Sequence, residues 1–95
     1  MIQIMLIQMT GGKVPIVMHG GSGVSKEDYA KAIEAGVRKV NYFTYMDKAG
    51  GTAVAEYLNN VKDGAPVFFS AIMENARNAM QENAKSAMKM FAGIA

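Results

Sequence analysis

Residues 14–25 read VPIVMHGGSGVS, and this stretch indicates the local fold. The apolar run of residues 14–18 is as long as a strand that is buried on both faces of a parallel sheet. Pro15 then lies near the strand start, where a missing N–H is tolerated. Ser25 can cap the helix that follows the glycines. The stretch therefore predicts a strand, a glycine-rich turn and a helix.

The segments on either side continue this alternation. Residues 2–9 contain β-branched isoleucines that favour a strand, but residues 10–12, Thr-Gly-Gly, resemble a helix end, and we favour a short helix. Gly36 should end the helix that Ser25 begins. The pattern then predicts a strand over residues 37–43, a helix from Thr44, a loop over 59–66 and a helix over 70–91. This order indicates a βαβ unit with parallel strands and a right-handed crossover.

Two parallel strands do not form a stable sheet by themselves. We therefore expect residues 1–95 to be a single partial domain of a larger α/β fold, covered by self-association or by further chain. The long helix has one apolar face that is broken by a polar residue; its members are Ile72, Ala76, Ala79, Met80, Asn83, Ala87 and Met90. The nine methionines are expected mainly to fill the core, and the alternative is a sticky surface that binds several partners.

Composition excludes several classes of function. The 95 residues include no cysteine, so disulfides and thiolate metal sites are excluded, as suits a cytoplasmic protein. The net charge is only +2 and the basic residues are scattered, so we expect no nucleic-acid partner. The apolar N-terminus is too short to cross a bilayer, and we expect no membrane association.

The glycine-rich turn is a candidate anion site. His19, Gly20, Gly21, Ser22 and Gly23 follow the strand, where ligands of parallel α/β folds bind. Backbone N–H groups of such a turn and the following helix N-terminus can hold a phosphate. A tight turn with a helix cap explains the same residues equally well. A lone histidine is more often structural than a ligand. In addition, a catalytic zinc needs about three protein ligands, and His19 is a single histidine.

The segment VPIVMHGGSGVSKEDYAKAIEAGVRKVNYFTYM, residues 14–46, resembles the class II, zinc-dependent ketose-bisphosphate aldolases that act on fructose or tagatose bisphosphate. The resemblance begins near residue 10 and continues to the closing AMKMFAGIA. Members of that family are (β/α)₈ barrels. The resemblance implies that this chain is the C-terminal portion of such a TIM barrel: strand 7, helix 7, strand 8 and the C-terminal helices.

The resemblance also implies roles for individual residues. His19 would be one of three zinc-ligating histidines, and Asn41 would hold the dihydroxyacetone phosphate portion of the substrate. The implied phosphate-binding residues are Gly20, Gly21, Ser22, Gly23 and Thr44. The family motif reads N-V-A-T or N-I-D-T where this chain has Asn-Tyr-Phe-Thr at 41–44, so Tyr42 and Phe43 either alter the phosphate contact or pack.

Two further zinc histidines and the catalytic aspartate of the family have no counterpart in the sequence. We therefore expect the isolated chain to be inactive, with no catalytic residue of its own and an incomplete zinc site. Three interpretations remain open: an enzyme portion that acts with a missing N-terminal part, a phosphate-binding relative without catalysis, and a fragment stabilised as a homo-oligomer. The implied ligands are a ketose bisphosphate or phosphate.

Overall fold

The computed structural model describes residues 2–20 and 24–94. Its elements follow the predicted order of helix, strand, helix, strand, helix, helix. They are α1 (Ile2–Met9), β1 (Val17–Gly20), α2 (Lys26–Ala35), β2 (Lys39–Tyr42), α3 (Thr44–Asn59) and α4 (Phe69–Phe91). In the described residues no helix combines the length and apolarity needed to cross a membrane.

Local sequence signals set the ends of the first two helices. The backbone N–H of Gly12 donates to the carbonyl of Ile7 at 3.0 Å, and Gly12 has a positive φ of 74°, which terminates α1 as predicted. The Ser25 hydroxyl accepts from the backbone N–H of Asp28 at 3.1 Å and caps α2. Gly36, with φ 128°, ends α2. The predicted helix at residues 2–9 is confirmed.

Both strands differ from their predicted bounds. β1 is shifted along the chain, since it begins at Val17, which pairs with the first residue of β2, and it includes His19 and Gly20. β2 ends at Tyr42, one residue before the predicted end. β2 does not include residues 37 and 38, because these close α2: the backbone N–H of Val37 donates to the carbonyl of Ala32 at 3.0 Å. The Arg38 guanidinium donates to the carbonyls of Ile33 and Val37, each at 3.0 Å. The strands are parallel, as predicted.

The core lies on one side of the sheet. Met18, Tyr29, Ala32 and Val37 form its buried cluster, each at most 2% exposed. Half-buried side chains of α1, β2, α4 and the segment before α2 pack around them: Ile7, Val24, Val40, Met90 and Phe91. This covered face of the sheet carries Met18, Val40 and Tyr42. It supplies the main apolar burial of the molecule.

The other side of the sheet is uncovered. Because side chains alternate along a strand, Val17, His19, Lys39 and Asn41 share this open face, and all four are exposed. The expectation that residues 14–18 are buried on both faces is therefore wrong for this chain, since Val17 is 40% exposed. The described residues form a two-stranded sheet and no closed barrel.

The helices α3 and α4 pack along one another as an extended hairpin. The predicted apolar face of α4 is confirmed, since its seven members are half-buried or buried. Gly50 of α3 is buried, and a Cβ there would lie 2.9 Å from the Met80 side chain, so the glycine permits the close approach. The molecule measures 62 × 22 × 19 Å. Its radius of gyration is 18.0 Å, against about 12 Å for a compact domain of this length.

The methionines do not mainly fill the core. Met18 is buried, whereas Met5, Met9, Met73 and Met88 are 50–75% exposed. The expectation of core filling is wrong for these four because the faces on which they lie have no packing partner within the described chain. A large apolar surface of this kind is typical of contact sites.

Candidate functional site

His19 and Asn41 lie beside each other on the open face. They are register partners on the two parallel strands, which places their Cα atoms about 5 Å apart. Both side chains are exposed. The structure thus brings together two residues that the sequence predicted for one site, although they are 22 positions apart in the chain (41 − 19).

β2 leads directly to the N-terminus of α3, and α2 begins at Lys26, six residues after the end of β1. Gly20 is the last residue of β1 and pairs with Tyr42, the last residue of β2. Thr44, an exposed residue, begins α3 only two positions later. Helix N-termini carry unpaired N–H groups and a partial positive charge that favours anions. The predicted phosphate residues Gly21, Ser22 and Gly23 lie outside the described residues.

An aromatic cluster supports this end of the sheet from the covered face. The Tyr42 hydroxyl donates to Asn83 Oδ1 on α4 at 2.6 Å. The Phe91 ring of α4 lies edge-on to the Tyr42 ring, with centroids 5.9 Å apart, and 4.9 Å from the Tyr29 ring. Tyr42 therefore packs, which is one of the two roles that the sequence left open. The only sequence signal for this link is the polar Asn83 within the apolar face of α4.

The environment of the cluster shifts two phenol pKa values. Burial raises the pKa of Tyr29 above its ordinary 10.0, and the nearby Tyr42 and Tyr45 raise it further. Burial also raises the pKa of Tyr42, while the hydrogen bond to Asn83 lowers it. The Tyr29 hydroxyl is buried and has no hydrogen-bond partner among the described residues. Both phenols are neutral at physiological pH.

The donor set of the described residues does not fit a complete zinc site. Nowhere in residues 2–20 and 24–94 do three or more histidine, aspartate or glutamate side chains come together as a metal-binding group. His19 is the only histidine of the sequence, which has no cysteine. A catalytic zinc requires about three protein ligands. His19 can supply one.

One cavity lies at the opposite end of the strands. It encloses about 450 Å³ between α1 and the end of α2 and is lined in part by Val14, Val17, Gly36 and Lys39. Neither His19 nor Asn41 lines it. Because ligands of parallel α/β folds bind at the carboxyl ends of the strands, this cavity is not the candidate site.

Comparison with known proteins decides the family. Residues 2–94 match the family described as "Fructose-bisphosphate aldolase class-II". The chain belongs to the class II fructose-bisphosphate aldolase family. The match confirms the resemblance of the glycine-rich turn and extends it N-terminally from residue 10 to residue 2, so that α1 is also part of the aldolase region.

The chain is also similar in sequence to individual aldolases. Over 78 residues the chain is 37% identical to the fructose-bisphosphate aldolase of Staphylococcus epidermidis and 36% identical to that of Staphylococcus aureus. Each alignment covers 82% of this chain but 27% of the relative. The chain thus corresponds to about a quarter of those aldolases, at their C-terminal end. The fold that the family implies is a TIM barrel, of which this chain is a fragment.

Proposed function

We propose that this chain is the part of a class II ketose-bisphosphate aldolase that binds the phosphorylated substrate at strands 7 and 8 of the barrel. In this proposal it acts in catalysis only when further barrel strands complete the site. The observation that carries the proposal is the pairing of His19 with Asn41 on the open face, at the carboxyl ends of parallel strands. Family membership supports the assignment of ligand.

The chain's own residues bind and orient the ligand in this proposal. The proposed phosphate ligands are Gly20, Gly21, Ser22, Gly23 and Thr44. Their N–H and hydroxyl groups donate to phosphate oxygens, supported by the N-termini of α2 and α3. The Asn41 amide orients the dihydroxyacetone phosphate portion beside His19. His19 supplies one ligand of the zinc that, in the family, polarises the ketose carbonyl.

No acid–base step is assigned to this chain. General acid–base catalysis needs a titratable group within hydrogen-bond reach of the reacting oxygen. The titratable side chains on the open face of the described strands are His19 and Lys39. His19 is assigned to the zinc, and Lys39 lies at the amino end of β2, away from the site. The proposed reaction, reversible aldol cleavage of a ketose bisphosphate to dihydroxyacetone phosphate and an aldehyde, therefore requires groups from elsewhere in the barrel.

A coupled assay for triose phosphate tests whether the reaction requires groups from elsewhere in the barrel. We expect no cleavage of fructose or tagatose bisphosphate by the isolated chain, even with zinc. Mixing the chain with the Staphylococcus epidermidis aldolase truncated before its matching segment should restore zinc-dependent turnover, and His19→Ala should abolish it. Turnover by the isolated chain that is lost in His19→Ala would contradict the proposal, because it would mean that self-assembly rebuilds the site.

Phosphate binding can be tested separately by calorimetric titration with inorganic phosphate. Thr44→Ala should weaken binding about fivefold, since one hydrogen bond to an anion is lost. Thr52→Ala is the matched control, because Thr52 is an exposed threonine in the middle of α3. Phosphate binding without restored turnover would favour the second candidate, a phosphate-binding relative without catalysis. The pairing of His19 with Asn41 on the open face favours the first, because phosphate binding alone needs no metal-ligating side chain.

Assembly follows from the open face and the strand edges. Unpaired edges and an uncovered face favour association with another chain. We propose that the chain covers this face by forming homo-oligomers when alone and by docking to an N-terminal barrel part when one is present. The proposed setting is the cytoplasm, where phosphorylated sugars occur.

A further inference from the structure

Tyr42 occupies a central place between the proposed ligand contacts. Asn41 precedes it on the open face, and Thr44 begins α3 two residues after it. Tyr42 also pairs with Gly20, the first residue of the proposed phosphate loop. A contact that fixes Tyr42 therefore fixes the backbone from which three proposed ligand groups extend.

That contact comes from α4, on the other side of the sheet. The Tyr42 hydroxyl donates to Asn83 Oδ1 at 2.6 Å, and its ring meets Phe91 edge-on at 5.9 Å between centroids. Asn83 and Phe91 lie about two helical turns apart, so one helix holds Tyr42 at two points. Phe91 also packs on the buried Tyr29 ring, which ties the helix end to the core.

The hydrogen bond can orient the strand end. The pair is partly buried, so water competes less for the hydroxyl than at a fully exposed site. Tyr42 is a neutral donor at neutral pH, because the ordinary phenol pKa is 10.0 and burial raises it. Asn83 would otherwise be a polar interruption in the apolar face of α4, and Tyr42 gives it a partner.

We propose that α4, through the bond from Tyr42 to Asn83, positions the carboxyl end of β2 and thereby the ligand groups of Asn41 and Thr44. Tyr42 and Asn83 are positioning residues, since their contact lies on the covered side of the sheet, opposite to His19 and Asn41. The inference rests on the proposed function for the identity of the ligand. The positioning itself is independent of that identity. The family motif has valine or isoleucine at the position of Tyr42, and these side chains have no hydroxyl to donate.

Amide hydrogen exchange of the full chain, read by mass spectrometry, tests the positioning. The variants Tyr42→Phe and Asn83→Leu should speed exchange at residues 41–44 about fivefold, the effect of losing one net hydrogen bond. Exchange in α2 should change less. Asn83→Asp keeps an acceptor for the hydroxyl and should restore protection.

Asn75→Leu is the matched control. Asn75 is a half-buried asparagine of the same helix, but within the described part of the chain its side-chain Nδ2 donates to the carbonyl of Ala71 on α4, at 2.8 Å, and not to the sheet. This variant should leave exchange at residues 41–44 unchanged. Wild-type exchange at these amides in Tyr42→Phe and Asn83→Leu would overturn the inference. Uniform acceleration across the chain would also overturn it, since that result indicates only lower global stability.

Titration with inorganic phosphate links the positioning to the ligand. Tyr42→Phe and Asn83→Leu should weaken phosphate binding about fivefold, and Asn75→Leu should not. Unchanged affinity in the first two variants would contradict the link to the ligand groups. If the wild-type chain binds no phosphate, the proposed function fails, and the exchange data still decide whether α4 positions the strand end.

Discussion

The two faces of the small sheet differ in what they contribute. The covered face carries Met18, 1% exposed, and Tyr42, which is tied to α4. The open face carries His19 and Asn41, both exposed and paired in register. The same four-residue strands thus hold the apolar packing on one side and the candidate chemistry on the other.

This difference shows how the two faces of one small sheet can serve different purposes. Apolar burial on the covered face stabilises the local fold without any help from the open face. The open face carries the candidate site residues, and no other strand of the described chain lies beside them. We expect substitutions on the covered face to change stability and substitutions on the open face to change ligand binding.

Met18→Ala should have the largest effect. Deleting a fully buried methionine side chain costs about 2–5 kcal/mol, which is a large part of the stability of a small domain. Val17→Ala, one residue earlier on the open face, should cost less than about 1 kcal/mol, because Val17 is 40% exposed. Urea denaturation followed by circular dichroism measures both. Equal losses for the two variants would contradict the comparison.

Removing the two phenol hydroxyls of the covered side should have opposite effects. Tyr42→Phe loses the bond to Asn83 and should destabilise the fold by about 1 kcal/mol. Tyr29→Phe removes a buried hydroxyl without a partner among the described residues, and should be neutral or stabilising by up to about 1 kcal/mol. The urea midpoints of the two variants check this order. A larger loss for Tyr29→Phe would indicate that its hydroxyl has a partner.

Alkaline pH should weaken the covered face selectively. Burial raises the pKa of Tyr29 and Tyr42 above 10.0, so the folded state holds both phenol protons more tightly than the unfolded state. Their stabilisation is fully present below pH 10 and is lost as the pH rises through the raised folded values. Urea midpoints between pH 8 and pH 11.5 should therefore fall less in the Tyr29→Phe, Tyr42→Phe double variant than in the wild type. Parallel curves would contradict this.

Open-face variants should have the smallest effect on stability. His19→Ala and Asn41→Ala should each change the free energy of unfolding by less than about 0.5 kcal/mol, because both side chains are exposed. The same urea titration measures this change. Asn41→Ala should nonetheless weaken binding of a ketose bisphosphate. A strong loss of stability in either variant would indicate a structural role for the open face.

Local sequence signals predicted most of the fold. Ser25 and Gly36 mark the ends of α2 through contacts with residues three or four positions away, so their roles can be read from spacing alone. The apolar face of α4 follows from helical periodicity. The strand bounds were less predictable, since β1 begins where Lys39 offers a partner, and that register depends on tertiary pairing.

The candidate site was predictable only in part. The resemblance of HGGSG and of the asparagine and threonine of residues 41–44 identified its residues, and parallel pairing explains why His19 meets Asn41. The link between Tyr42 and Asn83 joins residues 41 positions apart (83 − 42), which no local pattern encodes. The exposure of four methionines agrees with the less favoured alternative of a sticky surface, because apolar periodicity indicates a face but not what covers it.

We expect further strands or a second chain to cover the open face. Native mass spectrometry at micromolar concentration, without and with zinc, is the decisive measurement, because it reports assembly and metal content together. We expect assemblies of two or more chains and no folded single chain that holds zinc by itself. A narrow, low-charge distribution of compact single chains, with one zinc each when the metal is added, would contradict it.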